Sequence, residues 1–251
     1  YNLAAQSFVA YSYNNPFYTE TINNLSVLNI LEAIKNTSNK TKFYQASSSE
    51  MFGGLNYKNK KLNENSKFNP ISPYAISKLS AYHYTRMYRK SYNIFASSGV
   101  LFNHESPLRG EQFVTKKIVK GLVKILNNKK KDPIYLGNIY AKRDWGFAGD
   151  YVESMWQMLQ QDKPDDYVVA TGESHSVEEF LTLASEYAGL GDWHDFVKID
   201  EFNIRPTDID ELTGDSSKAR KKLGWKPKME FNDLVKHMVY HDMDYFKNPT
   251  V

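Results

Sequence analysis

The order of elements between Tyr44 and Phe102 constrains the fold most. A strand-like run, Tyr44-Gln45-Ala46, opens into Ser47-Ser48-Ser49-Glu50, and after a loop Ser72-Pro73-Tyr74-Ala75-Ile76-Ser77-Lys78 begins a helix. Serine suits the N-cap and proline the first helical position. A further strand-like run from Ile94 to Phe102 follows, ending in Asn103. Strands joined through a helix build a parallel sheet with helices packed on it, so the expected fold class is α/β.

Tyr74 and Lys78 stand four residues apart, so their side chains share one helical face. A free tyrosine, with a pKa of about 10, is a poor base at neutral pH unless a cation stabilises the phenolate, and an ammonium one turn away is such a cation. Tyr74 is then suited to take the proton of a sugar hydroxyl while a nicotinamide accepts hydride from the same carbon. The Ser48 hydroxyl is placed to hold that oxygen, and Glu50 adds a second acid/base. Taken singly, a Tyr-xxx-Lys pair or a serine-rich turn also occurs for purely structural reasons.

Composition removes other classes. The chain has 251 residues, 41% hydrophobic, enough for a substantial core in one large domain or two small ones. No apolar run approaches the roughly 20 residues of a membrane helix and no charged-then-apolar leader opens the chain, so a cytoplasmic protein without membrane contact is expected. Without cysteine there is no disulfide, thiolate nucleophile or cysteine zinc site. A net charge of +3 is mild, and no nucleic-acid-binding signature accompanies the lysines of 116–131, so no nucleic-acid partner is expected. His237 and His241 share a face of the last helix, but with no third ligand at suitable spacing no metal is expected.

Several segments carry a resemblance. Tyr1-Asn2-Leu3-Ala4-Ala5-Gln6-Ser7, Phe43-Tyr44-Gln45-Ala46-Ser47-Ser48-Ser49-Glu50, Leu101-Phe102-Asn103-His104-Glu105-Ser106-Pro107, Ala141-Lys142-Arg143-Asp144-Trp145-Gly146 and Ala170-Thr171-Gly172-Glu173 together resemble the extended short-chain dehydrogenase/reductases. Within them the chain is most similar to the GDP-mannose 4,6-dehydratase family, over essentially its whole length. The resemblance implies a Rossmann-type parallel sheet with a smaller C-terminal substrate domain: residues 1–103, with about 134–156, for the dinucleotide and mainly 104–251 for the nucleotide sugar. No GxxGxxG or GxGxxG occurs, so the sheet is expected to be incomplete at its N-terminal side.

By the same resemblance NADP is the cofactor, with contacts from Leu3, Ala4, Ala5, Gln6, Ser7, Tyr18, Ser47, Tyr74, Lys78, His104 and Arg109. Ser48, Glu50, Asn103, Lys117, Arg143, Arg205 and Asp208 are implied to bind GDP-mannose or a close GDP-sugar. Read from chemistry alone, the Arg143 fork suits phosphate, and an Arg-Asp neighbour pair equally suits a surface ion pair. The implied reaction gives GDP-4-keto-6-deoxymannose with Ser48, Glu50, Tyr74 and Lys78 catalytic, in a homodimer or homotetramer. The chain departs from the family in having Ser48 for threonine, Leu108 for arginine and Asp208 for glutamate. A 4-epimerase, a GDP-manno-heptose dehydratase and a non-catalytic nucleotide-sugar-binding chain are the rival readings.

Periodicity and capping place the remaining elements. Helices are expected from Pro16 to about Lys35, Gln112 to Asn127, Asp150 to Gln160, Ser176 to about Ala188 and Asn232 to Phe246. Short strands are expected at Ile134 to Leu136, Tyr167 to Thr171 and Val197 to Ile199.

Overall fold

The computed structural model describes residues 1–38, 40–53, 60–127, 132–200 and 206–247. Helices α1 (Val9–Asn14) and α2 (Pro16–Glu20) run through a π-helical turn (Thr21–Leu25) into α3 (Ser26–Thr37). Strand β1 (Phe43–Ser48) ends in a 3-10 turn (Ser49–Phe52), and α4 (Pro73–Tyr92), β2 (Ala96–Leu101) and β3 (Asn103–Glu105) follow. Next come α5 (Val114–Asn127), β4 (Ile134–Leu136), β5 (Lys142–Arg143), β6 (Trp145–Phe147), α6 (Ala148–Gln160) and β7 (Asp166–Val169). The C-terminal part contains β8 (His175–Ser176), α7 (Val177–Tyr187), β9 (Val197–Ile199), β10 (Glu211–Leu212), α8 (Ser217–Leu223) and α9 (Phe231–Lys247).

The central sheet is parallel, in the order β1-β2-β7, with Gly99 opposite both Ala46 and Tyr167. Asn2 extends it beyond β1: its N–H donates to the Tyr44 carbonyl at 2.9 Å, and its carbonyl accepts from Ala46 N at 3.2 Å. Alternate strand residues face opposite layers. Phe43 and Ala96 pack on Val27 and Leu31 of α3 and Ala81 and Tyr88 of α4, while Tyr44, Leu101 and Tyr167 pack on Tyr151, Met155 and Met158 of α6. A separate core joins α5, α7 and α9 through Ile118, Leu122, Phe180, Leu181, Leu234 and Met238. The α/β class and the helix-covered parallel sheet agree with the sequence reading.

Three details differ from it. The expected Pro16–Lys35 helix is interrupted by the π turn, where the buried Asn23 and Asn24 turn polar side chains inward. The Ile94–Phe102 run stops at Leu101, and the chain leaves the sheet to pair Asn103–Glu105 with Trp145–Phe147. Ile134–Leu136 pairs with Val197–Ile199 and not with the central sheet, whose third strand is Asp166–Val169. The expected helix from Ser176 is present: Ser176 and Glu179 form a capping box, and Gly189 follows α7 with φ +72°. Among the described residues no helix is long and apolar enough to cross a membrane.

One glycine sets the packing beneath the sheet. A Cβ on Gly99 would lie 2.4 Å from the Tyr44 hydroxyl and 3.1 Å from its ring, and Tyr44 is fully buried with no room to retreat. Gly99→Ala is therefore expected to destabilise the fold by about 1–3 kcal/mol, read by denaturant unfolding. Unchanged stability would show that Tyr44 repacks freely.

Candidate active site

In parallel α/β sheets ligands gather at the carboxyl ends of the strands, and the expected catalytic residues lie there. At the end of β1, the Ser48 hydroxyl accepts from Glu50 N at 3.2 Å, which caps the 3-10 turn and points Glu50 out of the sheet. Across the loop, the Ser72 hydroxyl accepts from Ala75 N at 3.1 Å and Pro73 occupies the first helical turn, fixing the start of α4. Tyr74 and Lys78 then project from successive turns and are both buried.

Burial pushes the Tyr74 phenol up to about 12; a hydrogen bond with Ser48 pulls it down, the Glu50 charge pushes it up and the Arg109 guanidinium pulls it down. Arg109 thus joins Lys78, the expected cation, beside the phenol. The Lys78 ammonium donates to the Ala46 carbonyl at 3.1 Å and stands 5.9 Å from the Tyr74 ring centroid, and burial lowers its own pKa to about 8. Arg109 stacks on Phe113 at 3.6 Å and pairs with the buried Glu105 at 3.2 Å, whose carboxylate also accepts from Thr115 at 2.6 Å.

Two cavities meet here. One, of about 390 Å³, is lined by Leu3, Ala5, Ser7, Ser47, Ser48, Glu50, Tyr74, Lys78, Asn103, His104 and Arg109. The other, of about 190 Å³, is lined by Glu50, Asn103, Arg109, Lys117, Arg143 and Asp208, with Gly137 and Asn138. Glu50, Asn103, Arg109 and Phe113 belong to both walls. Of the remaining expected cofactor contacts, Ala4, Gln6 and Tyr18 do not line either cavity: Gln6 turns back to Asn23 and Phe8, and Tyr18 is half-exposed, edge-on to Tyr11. Arg205 lies outside the described residues.

Arg143 is buried, and its guanidinium donates to the Ile209 carbonyl at 2.7 Å and pairs with Asp208 at 3.2 Å. The bland surface-pair alternative with Asp144 therefore does not apply. Asp208 still reaches Arg143 with its shorter chain.

The larger cavity suits a nicotinamide nucleotide by its donor set. The Ser47 hydroxyl is buried with no protein partner, and the neighbouring Lys78 ammonium has three donors to place. Burial holds His104 at a pKa of about 4, so it is neutral; Nδ1–H donates to the Phe102 carbonyl at 2.9 Å and leaves Nε2 an acceptor. Ser47, Tyr74, Lys78 and His104 are the residues that would hold the group. Among the described residues no cluster of three or more metal-ligating side chains occurs.

Asn23 was not anticipated from sequence. On the π turn it accepts from Gln6 N at 2.8 Å and donates to Gln6 O at 3.0 Å and to Ser77 at 3.2 Å, locking the cavity-lining 3–7 segment to α4 between Tyr74 and Lys78. The available signal was a polar pair, Asn23-Asn24, inside an otherwise apolar helical stripe; π turns recur at functional sites.

The comparisons with known proteins agree with this geometry. A solved UDP-glucose 4-epimerase of Thermus thermophilus, in complex with NAD, superposes with a TM-score of 0.84 at 27% identity, over 99% of this chain and 77% of its own. RMD of Pseudomonas aeruginosa, solved with NADPH, shares the fold with a TM-score of 0.86 at 21% identity, over 96% of this chain and 80% of its own. GDP-mannose 4,6 dehydratase 1 of Arabidopsis thaliana is 52% identical over 255 residues, spanning 100% of this chain and 69% of the plant protein. The family model described as GDP-mannose 4,6 dehydratase matches residues 1–238. With its cavities, its Tyr74-Lys78 helix and this match along nearly its whole length, the chain belongs to the GDP-mannose 4,6-dehydratase family.

Proposed function

We propose that the two cavities hold a nicotinamide nucleotide and GDP-mannose, meeting over Ser48, Glu50 and Tyr74, and that the chain converts GDP-mannose to GDP-4-keto-6-deoxymannose. The observation that carries this is the position of Glu50 on both walls, beside Ser48 and Tyr74. Residues up to 103 serve mainly the dinucleotide and later ones mainly the sugar nucleotide, with α6 and β7 returning to the central sheet.

A nicotinamide nucleotide, held by Ser47, Tyr74, Lys78 and His104, would supply a two-electron carrier for the C4 hydride, which the product carries at C6. Tyr74, oriented by Ser48, takes the C4 hydroxyl proton as the ketone forms. The ketone acidifies C5, and Glu50 removes that proton and protonates the departing C6 hydroxyl. The proton that Tyr74 took from the C4 hydroxyl is returned at C5, so the product is the substrate less one water. Asn103, Lys117, Arg143 and Asp208 orient the nucleotide sugar, Arg143 as the diphosphate ligand from a preset guanidinium. Arg205 is assigned a second diphosphate contact by family resemblance alone.

We assign NADP as the nicotinamide, supported by the NADPH complex of the similarly folded RMD, while the epimerase neighbour carries NAD. A homodimer or homotetramer is assigned by family resemblance alone. A cytoplasmic setting accords with the water-soluble substrate and cofactor. The 4-epimerase and GDP-manno-heptose alternatives are not favoured, since the matching family and curated relatives are GDP-mannose dehydratases.

With NADP+, the protein is expected to yield a product lighter than GDP-mannose by one water, seen by mass spectrometry. Glu50→Gln should lower that yield by about 10²–10⁴-fold while reduced-nicotinamide absorbance still appears. Loss of both signals in a folded Glu50→Gln protein would place Glu50 at the oxidation step instead.

Lys78 also makes a pH signature. Its folded pKa of about 8 lies below the ordinary 10.5, so the unfolded chain binds more protons between these values and stability gains with rising pH across that window. Denaturant unfolding of Lys78→Met should lack this gain, whereas parallel pH curves for the two proteins would mean that Lys78 is not held in an unfavourable site.

A further inference from the structure

Arg143 is followed by a residue to which no role has been given. Asp144 is fully buried, and its carboxylate accepts four hydrogen bonds: from Thr171 N at 2.8 Å and the Thr171 hydroxyl at 2.7 Å on one oxygen, and from Gly172 N at 2.9 Å and Gly214 N at 3.1 Å on the other. Thr171 and Gly172 follow the last strand of the central sheet, and Gly214 follows β10. Asp144 is itself the crossover between β5, which pairs with β10 and β8, and β6, which pairs with β3. One carboxylate thus ties three layers of strands at a single point.

We propose that Asp144 is a positioning residue for the GDP-sugar, anchoring the β5–β6 crossover from behind so that Arg143 stands at a fixed place on the cavity wall. This rests on the assignment of that cavity to a GDP-sugar. Consecutive side chains of an extended segment point to opposite sides, so a residue pinned in the interior sets the outward direction of the one before it. The frame around it has little slack. Gly172 has φ +94°, and a Cβ on Gly214 would lie 2.2 Å from that of Ala170. From the same crossover, Trp145 pairs in register with Asn103, so the anchor also sets the distance between the Arg143 and Asn103 walls.

The test is GDP and NADP+ binding by titration calorimetry, with thermal unfolding alongside, in the intact protein. Asp144→Asn keeps shape but sets an amide N–H against backbone N–H donors, and is expected to raise the GDP dissociation constant by about tenfold or more. Thr171→Val, which removes one hydroxyl donor, should raise it by about threefold, and Thr171→Ser should restore it. NADP+ affinity should fall by a clearly smaller factor than GDP affinity in each, since Ser47, Tyr74 and Lys78 lie on β1 and α4 and only His104, on β3, adjoins the crossover. If Asp144→Asn does not fold, the two Thr171 variants decide. The proposal is overturned if GDP affinity is unchanged in the folded variants, or if GDP and NADP+ affinities fall by the same factor. Absence of GDP binding by the wild type would instead remove the function assigned to the cavity, and this inference with it.

Discussion

The site depends on the tether between β1 and α4. The Lys78 ammonium bonds the Ala46 carbonyl, and Tyr74 shares a cavity wall with Ser48, two residues further along the same strand, whose hydroxyl pulls the phenol's pKa down. The Lys78 bond takes a charged group that burial penalises and gives it a partner on the strand. Helix and strand are thereby held in one relative position at the carboxyl edge of the sheet, and Asn23 adds the 3–7 segment to the same assembly. A phenol, a hydroxyl and a carboxylate converge there because two backbone segments, the end of β1 with its turn and the start of α4, are fixed together.

Burial has a chemical consequence. Tyr74 is held in its neutral form with its pKa raised, so the protein alone does not make it a base. The counterweights in place are the Ser48 hydroxyl and the Arg109 charge, and Arg109 is itself set by Glu105 and Phe113. A positively charged ring beside the phenol would shift it in the same sense as Arg109.

Much of this was legible in the sequence. Ser-Pro before Tyr74, the four-residue spacing to Lys78 and the Ser-Ser-Ser-Glu run at a strand end located the elements that carry the proposed catalytic residues, because capping and strand-end rules are local. Distant pairings were not legible. Arg143 meets Asp208 and Ile209 instead of its neighbour Asp144, a choice made by which strand lies alongside β5. A second cation, Arg109, bears on Tyr74 besides the lysine one turn away, which also finds a carbonyl across the strand. The π turn and the departure of β4 from the central sheet likewise follow from tertiary contacts, which periodicity does not record.

The central claim is that C4 oxidation and C6 reduction occur over one set of residues within one cavity system. GDP-mannose deuterated at C4 tests it most directly, with the product read by NMR after reaction in ordinary water. The account predicts that the deuterium appears in the C6 methyl group of the 4-keto product. Loss of the deuterium to solvent, or its retention at C4 of a sugar that keeps all its oxygens, would contradict it.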